Sequence, residues 1–345
     1  VSHDKVLTRK KLSELWRDEG IPVLEISGNK YAIFSDIHLG NGNSADDLRF
    51  NKQALMRAFN YYTYEGYSLI FLGDIEELWQ FELHEIIEEY NNTIYAEIRA
   101  FGDEQIHRVF GNHDIDWKTL SDPVKNNPLK HLCATEALKM KDEYGKTVVL
   151  LLHGHQGDVY SDKKAWSSRF FVRLYRWIEP FFKIDYANPS SKSCMKKDFE
   201  QILYSWAKEF KVILICGHSH RAVFASKAYV QRLEEEIKKL KEQIYVNKDD
   251  KKKIVKLYNE LKKRKREYKN EKKWKRDIPS IDPKQEPLPC FFNTGCALYP
   301  GGVTVIEIVD DMIKLVKWHR NLKEGKFFKV YHEENLKKII NEVIK

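Results

Sequence analysis

The sequence predicts an α/β fold with a layered core. Three observations carry that prediction. Apolar runs of strand length recur along the 345 residues, and amphipathic helical patterns separate the early ones. Five of these runs stop at Asp, Asn or His, which suits the carboxyl ends of strands in an open sheet.

Taken in order, strands are predicted at 31–35, 68–72, 107–110, 148–153, 212–216, 291–293, 303–309 and 313–318, with helices over 54–62 and 83–95. The last strands follow one another through "YPGG" and "VDDM" turns, which predicts an antiparallel pair at a sheet edge. The length predicts one large domain over 1–345 that carries insertions.

A composition of 42% hydrophobic and 32% charged residues is that of a globular chain. The longest apolar runs, at 148–152 and 212–216, fall far short of the roughly 18 residues of a membrane span. The opening residues lack the apolar stretch of a secretory signal. Five cysteines (133, 194, 216, 290 and 296) are odd in number and without CxxC spacing. Reduced thiols and a cytoplasmic location are expected.

Two stretches break the alternation. Within 161–208, Trp166, Phe170, Leu174, Trp177, Ile178 and Phe181 fall on one helical face. That helix faces the core, or it forms a lid whose residues 166–182 touch a substrate or a membrane surface. Residues 227–276 hold 20 Lys and Arg against 9 Asp and Glu, a net of +11 that leaves −3 for the rest of the chain. Leu233, Ile237, Leu240 and Ile244, then Ile254, Leu257 or Tyr258, Leu261 and Tyr268, predict a coiled-coil-like helical hairpin. It is a solvated protrusion, or a basic arm for nucleic acid or another polyanion.

The chemistry sits directly after the strands. "YAIFSDIHLG" supplies Asp36 and His38, "LIFLGDIEELW" supplies Asp74, and "RVFGNHDID" supplies Asn112 and His113. "LLLHGH" supplies His153 and His155, and "ILICGHSH" supplies His218 and His220. Oxygen and imidazole donors without thiolates suit Mn, Fe, Zn, Co or Mg. Two ions about 3.5–4 Å apart clamp a phosphate and lower the pKa of a water between them. Glu76 reads as the start of a helix, where an acid suits the dipole, while Glu77 is left open.

The ordered blocks Asp36-x-His38, Gly73-Asp74, Gly111-Asn112-His113-Asp114, His153 and Gly217-His218-x-His220 resemble the calcineurin-like metallophosphoesterases. The resemblance implies a four-layer sandwich, two mixed β-sheets flanked by helices, and two divalent ions with Mn the first expectation. It implies Asp36, His38, Asp74 and His220 at one ion, and Asp74, Asn112, His153 and His218 at the other. It implies His113 as the group that steadies the phosphate or protonates the leaving oxygen, with Asp114 orienting it. The implied reaction is attack of a metal-bridging hydroxide on a phosphoester or pyrophosphate.

"GDIEELW", "SDKKAW" and "ANPSSKS" are also similar to blocks of the UDP-2,3-diacylglucosamine pyrophosphatases. That likeness implies a lipid-linked substrate touched by Asn188 and Lys192. His155, where that family carries an acid, falls behind the metal ligands or to the substrate phosphate. His113 in place of an Arg, and the basic hairpin, depart from that pattern. Two other functions stand beside it: a nuclease or nucleotide phosphatase that uses the hairpin, and a non-catalytic scaffold.

Overall fold

The computed structural model describes residues 4–118, 133–157, 193–247, 250–274, 287–299, 301–320 and 327–345. One sheet has the order β1 (Val23–Glu25), β6 (Ala137–Lys141), β7 (Thr147–Leu152), β8 (Ile213–Cys216), β11 (Phe291–Asn293), β9 (Val223–Phe224), β10 (Lys227–Ala228). The other has the order β14 (Phe328–Asn335), β13 (Met312–Trp318), β12 (Val303–Val309), β2 (Tyr31–Phe34), β3 (Ser68–Leu72), β4 (Ile106–Val109), β5 (Ala134–Thr135). Both sheets mix parallel and antiparallel pairs: β2, β3, β4 and β5 run parallel, while β12, β13 and β14 are antiparallel.

Alternation along the central strands divides the interior. Ile33, Ile70, Leu72 and Val109 join the core between the sheets. Ala32, Phe34, Leu69 and Phe71 point the other way, onto α2 (Lys52–Tyr64), α3 (Leu83–Tyr90) and α4 (Ile94–Arg99). The far face of the first sheet is covered by α1 (Lys5–Arg17) and α5 (Ser193–Phe210), which meet where Trp206 Nε1 donates to Ser13 Oγ at 3.0 Å. Helix, sheet, sheet and helix give the four-layer sandwich.

The expected helix over 83–95 is two helices. Residues 91–93 (NNT) interrupt it, because Asn and Thr favour turns and caps over helix interiors. The antiparallel pair β12–β13 is not at an edge: β14 lies outside it, and β11 belongs to the other sheet. β14 carries no apolar run that would mark it as a strand, because FKVYHEEN is polar and only half buried.

The basic segment forms α6 (Tyr229–Val246) and α7 (Lys251–Trp274), which pack on each other. Leu233 and Leu261 are buried, and Leu257 joins the seam while Tyr258 faces solvent. Arg264 reaches Glu236 across the seam at 2.9 Å, and Lys329 of β14 pairs with Glu267. The aromatic helix expected over 166–181, with Asn188 and Lys192, lies outside the described residues; 193–208 belong to α5. No described helix is long and apolar enough to cross a membrane.

Candidate metal centre

Five strand ends converge on one rim, and their backbones are tied together there. Asp36 N–H donates to Gly73 O at 3.1 Å and His38 N–H to Asp74 O at 3.0 Å, which joins the loops after β2 and β3. His113 N–H, after β4, donates to Asp74 Oδ1 at 2.8 Å. The second sheet closes on the first where His218 N–H donates to the Asp36 carboxylate at 2.9 Å, and where His153 Nδ1 meets Leu72 O at 2.7 Å.

The seven candidate ligands fall into two groups, apart from Asn112. Ligand atoms of Asp36, His38 and His220 lie within 4.8 Å of one another, as do those of Asp74, His153 and His218. His220 Nε2 is 3.1 Å from Asp36 Oδ1 and 3.4 Å from His38 Nε2. His153 Nε2 is 3.0 Å from Asp74 Oδ2, 3.2 Å from Asn112 Oδ1 and 3.2 Å from His218 Nδ1. Asp74 Oδ2 is also 3.9 Å from His38 Nε2, so one carboxylate faces both groups.

The chemistry of this donor set fits cations. Because the Nδ1 atoms of His38 and His153 face acceptors, the neutral rings carry their lone pairs on Nε2. Those lone pairs point at carboxylate oxygens and other ring nitrogens, a convergence that positive charge must relieve. The titration shifts report the same field. Burial opposes a charged His38, yet Glu77, Asp74 and Asp36 raise it to about 9. Burial likewise opposes a charged His153, which Asp74 and Asp36 raise to about 9. Burial would raise Asp74, but the surrounding histidines hold it well below the usual carboxylate range.

Glu77 organises two imidazoles at once. Its Oε2 is 2.7 Å from His38 Nδ1 and its Oε1 is 2.8 Å from His113 Nδ1. Burial alone would raise its carboxyl, and the two histidines instead bring it down to about 2. His113 stacks on Trp79 at 4.0 Å between ring centres, and its side chain is 21% exposed at the rim. Trp79 Nε1 in turn donates to Asn112 O at 2.8 Å.

Two expectations are corrected here. Asp114 does not orient His113. Its carboxylate is filled by the N–H groups of Gly111, Asp74 and Ile75 and by Arg108, so it fixes backbone, and Glu77 holds the imidazole. Glu76 does not open a helix. It is fully buried and bonded to Arg108, Tyr95 Oη (2.9 Å) and Trp117 Nε1 (3.1 Å). The available signal for this cluster was Arg108 inside the apolar run "HRVF".

His155 packs beside His153 at 5.5 Å and Phe110 at 6.1 Å and is 3% exposed. Burial, with the charge of His153, lowers it to about 3, and Nδ1 has no hydrogen-bond partner among the described residues. Of its two open roles, burial favours the one behind the candidate ligand. The loop carrying His218 and His220 is braced from α5, where Glu200 accepts from Ser219 Oγ at 2.7 Å and pairs with Arg221. Asn293 Nδ2 donates to Gly217 O at 2.6 Å from the other side. Neither Glu200 nor Arg221 was singled out from the sequence.

No curated protein matches the chain. The model of the calcineurin-like phosphoesterases matches residues 30–222, more than half of the chain, from the strand before Asp36 to just past His220. The chain therefore belongs to that family, whose members hydrolyse phosphoester bonds with a pair of divalent ions.

Proposed function

We propose that Asp36, His38, Asp74 and His220 hold one divalent ion and Asp74, Asn112, His153 and His218 a second, and that the pair serves hydrolysis of a phosphoester or pyrophosphate. The observation that carries this reading is the position of Asp74 Oδ2, 3.0 Å from His153 Nε2 and 3.9 Å from His38 Nε2, where one oxygen addresses both donor groups. When bound, two such ions supply Lewis acidity to a phosphoryl oxygen and an acidified water. The chain supplies the rest. Glu77 keeps the proton of His38 on Nδ1, away from the ligand face. It also holds His113, whose Nε2 edge is left for the phosphate or the leaving oxygen. Mn is the first ion to test, ahead of Fe, Zn, Co and Mg.

For the substrate, the reading favours a nucleotide- or lipid-linked pyrophosphate of the UDP-diacylglucosamine kind. Support comes from the GDIEELW block: Glu77 and Trp79, its recurring positions, both stand at the candidate site, on His38 Nδ1 and on Asn112 O. The substrate contacts expected at Asn188 and Lys192 belong to the same reading.

The test is metal content of the purified protein together with a panel of UDP-linked lipids, nucleotides and a chromogenic phosphodiester, each with Mn²⁺. Near two ions per chain and turnover abolished in Asp74→Ala are expected, with the variant's circular dichroism unchanged. A fully active Asp74→Ala would overturn the metal assignment. Turnover of simple diesters with no UDP-linked lipid accepted would overturn the substrate class alone.

A further inference from the structure

The hairpin carries charge that the fold does not use. Among the described residues its ion pairs gather in the half next to the sheets: Lys227–Glu235, Arg264 with Glu236, Glu260 and Glu267, and Lys329–Glu267. The distal half, residues 238–259, holds eight lysines against three acids. At 3.6 residues per turn the seam residues Ile254, Leu257, Leu261 and Tyr268 share one side of α7. The opposite side presents Lys252, Lys256, Asn259, Lys263 and Arg266 in a row about 21 Å long. Of these, only Lys263 has an ion pair among the described residues, a surface contact with Glu260 at 3.9 Å.

Large apolar side chains are also exposed on both helices of the distal half. Tyr245 is 80% exposed and Val246 77% at the end of α6, and Val255 is 59% and Tyr258 56% exposed in the first turns of α7. A lipid surface would need a continuous apolar face, and here the leucines and isoleucines are turned into the seam. Cations at one per turn or so with two exposed tyrosines suit a different ligand. Phosphates take the lysines, and unstacked bases take the aromatic rings.

We propose that the solvent-facing side of the α6–α7 hairpin, from its distal half along α7 to Arg266, is a docking arm for single-stranded nucleic acid. Lys252, Lys256, Lys263 and Arg266 face the phosphates, and Tyr245 and Tyr258 stack bases. No hairpin residue is among the candidate ligands, so binding does not depend on which ester is cut.

The test is fluorescence anisotropy of the full chain with a labelled 20-nucleotide oligothymidine in EDTA, where hydrolysis is silent. Four phosphate contacts give a slope of log affinity against log salt of about −2.8. The charge-reversed variant K252E/K256E/K263E/R266E is expected to lose binding and that slope. Tyr245→Ala and Tyr258→Ala are expected to weaken binding roughly 5- to 150-fold each, at unchanged salt slope. Because all six side chains are outside the seam, the melting curves of the variants are expected to match the parent. Oligonucleotide binding that survives the charge reversal overturns the proposal. So does binding to phosphatidylserine vesicles without binding to the oligonucleotide. Duplex binding as tight as single-strand binding, indifferent to both tyrosines, overturns the base-stacking part.

Discussion

Replacing Glu77 tests the chemistry of the rim most directly, because one carboxylate serves two imidazoles. Oε2 accepts from His38 Nδ1 at 2.7 Å and Oε1 from His113 Nδ1 at 2.8 Å. A glutamine has one carbonyl oxygen and one amide nitrogen in those places, so it accepts from one ring and must donate to the other. The ring that receives the amide is forced to the tautomer with its proton on Nε2. For His38 that proton covers the lone pair facing His220 and Asp74, and the ligand is lost. For His113 the ligand shell survives but the group presented to the phosphate has the wrong protonation. A hydrogen bond to a charged group is worth about 1.5–3 kcal/mol, or roughly 10- to 150-fold in whichever property depends on it. Removing a partner that orients a metal-bound imidazole lowers metal affinity about 10- to 100-fold. Glu77→Gln is therefore expected to lower either Mn²⁺ affinity or turnover at saturating Mn²⁺, and Glu77→Ala both. Calorimetric Mn²⁺ titration and hydrolysis of a chromogenic phosphodiester separate the two. If Glu77→Ala keeps both within threefold, the two-imidazole role is wrong.

Further outcomes follow from other parts of the fold. Arg108→Met leaves the fully buried carboxylates of Glu76 and Asp114 without a cation, which costs about 3–5 kcal/mol, and the melting temperature should fall by roughly 4–7 °C; an unchanged melt would contradict the buried network. Gly73→Ala meets a φ of +78° and puts a Cβ 2.6 Å from Gly111 N and 2.7 Å from His153 Nδ1, so Mn²⁺ titration should show the site lost even where the variant folds. Acid should loosen the junction between the hairpin and β14. Burial, with Arg232, Arg264 and Lys329, lowers His332 to about 3, and a base depressed in the fold loses stability as pH falls below its ordinary 6.5, at up to about 1.4 kcal/mol per pH unit. Burial opposes a charged Glu267, but Lys329 and Arg264 bring it below its ordinary 4.5, so its contribution is present above that value and is lost as pH falls through the folded one. Protection of β14 amides, relative to their intrinsic exchange rates at each pH, should fall first between pH 6.5 and 4.5, and His332→Leu should remove that phase.

The strands were legible because their apolar runs are compact and their ends carry chemistry. Runs such as 68–72 and 303–309 match the structure to the residue. β6 (ALKMK) hid behind lysines, one of which, Lys139, is buried and donates to Asp18 O. β14 hid behind His, Glu and Lys. The donor residues were legible through their position after strands, but their partners were not, because pairing is non-local. Glu76 follows Asp74 just as a helix-opening acid would, and only Arg108, 32 positions away on the neighbouring strand, turns it into half of a buried pair. Asp114 adjoins His113 in sequence, yet its oxygens are taken by three backbone N–H groups and Arg108. Adjacency suggested the wrong orienting acid, and Glu77, supplied by the loop after β3, is the right one.

What the sheets alone do not supply is the direction of the donors, and the backbone pays for it. Asp36, His38, Asp74, His218 and His220 have φ between 51° and 67°, in the left-handed region that residues other than glycine seldom enter. The left-handed turn costs about 1–2 kcal/mol per residue, less for Asp. Five of the seven candidate ligands carry it. Such strain persists only where the surroundings over-determine it, and here the strained loops hold one another. The β2 loop hangs on Gly73 O and Asp74 O, while the β8 loop hangs on the Asp36 carboxylate. This mutual support requires close approach, since a Cβ at Gly217 would stand 2.5 Å from Asp36 Oδ2. The donor cage is thus one cooperative object built from both sheets. A change in any one loop reaches the others through these few bonds, and bound cations stabilise all of them together.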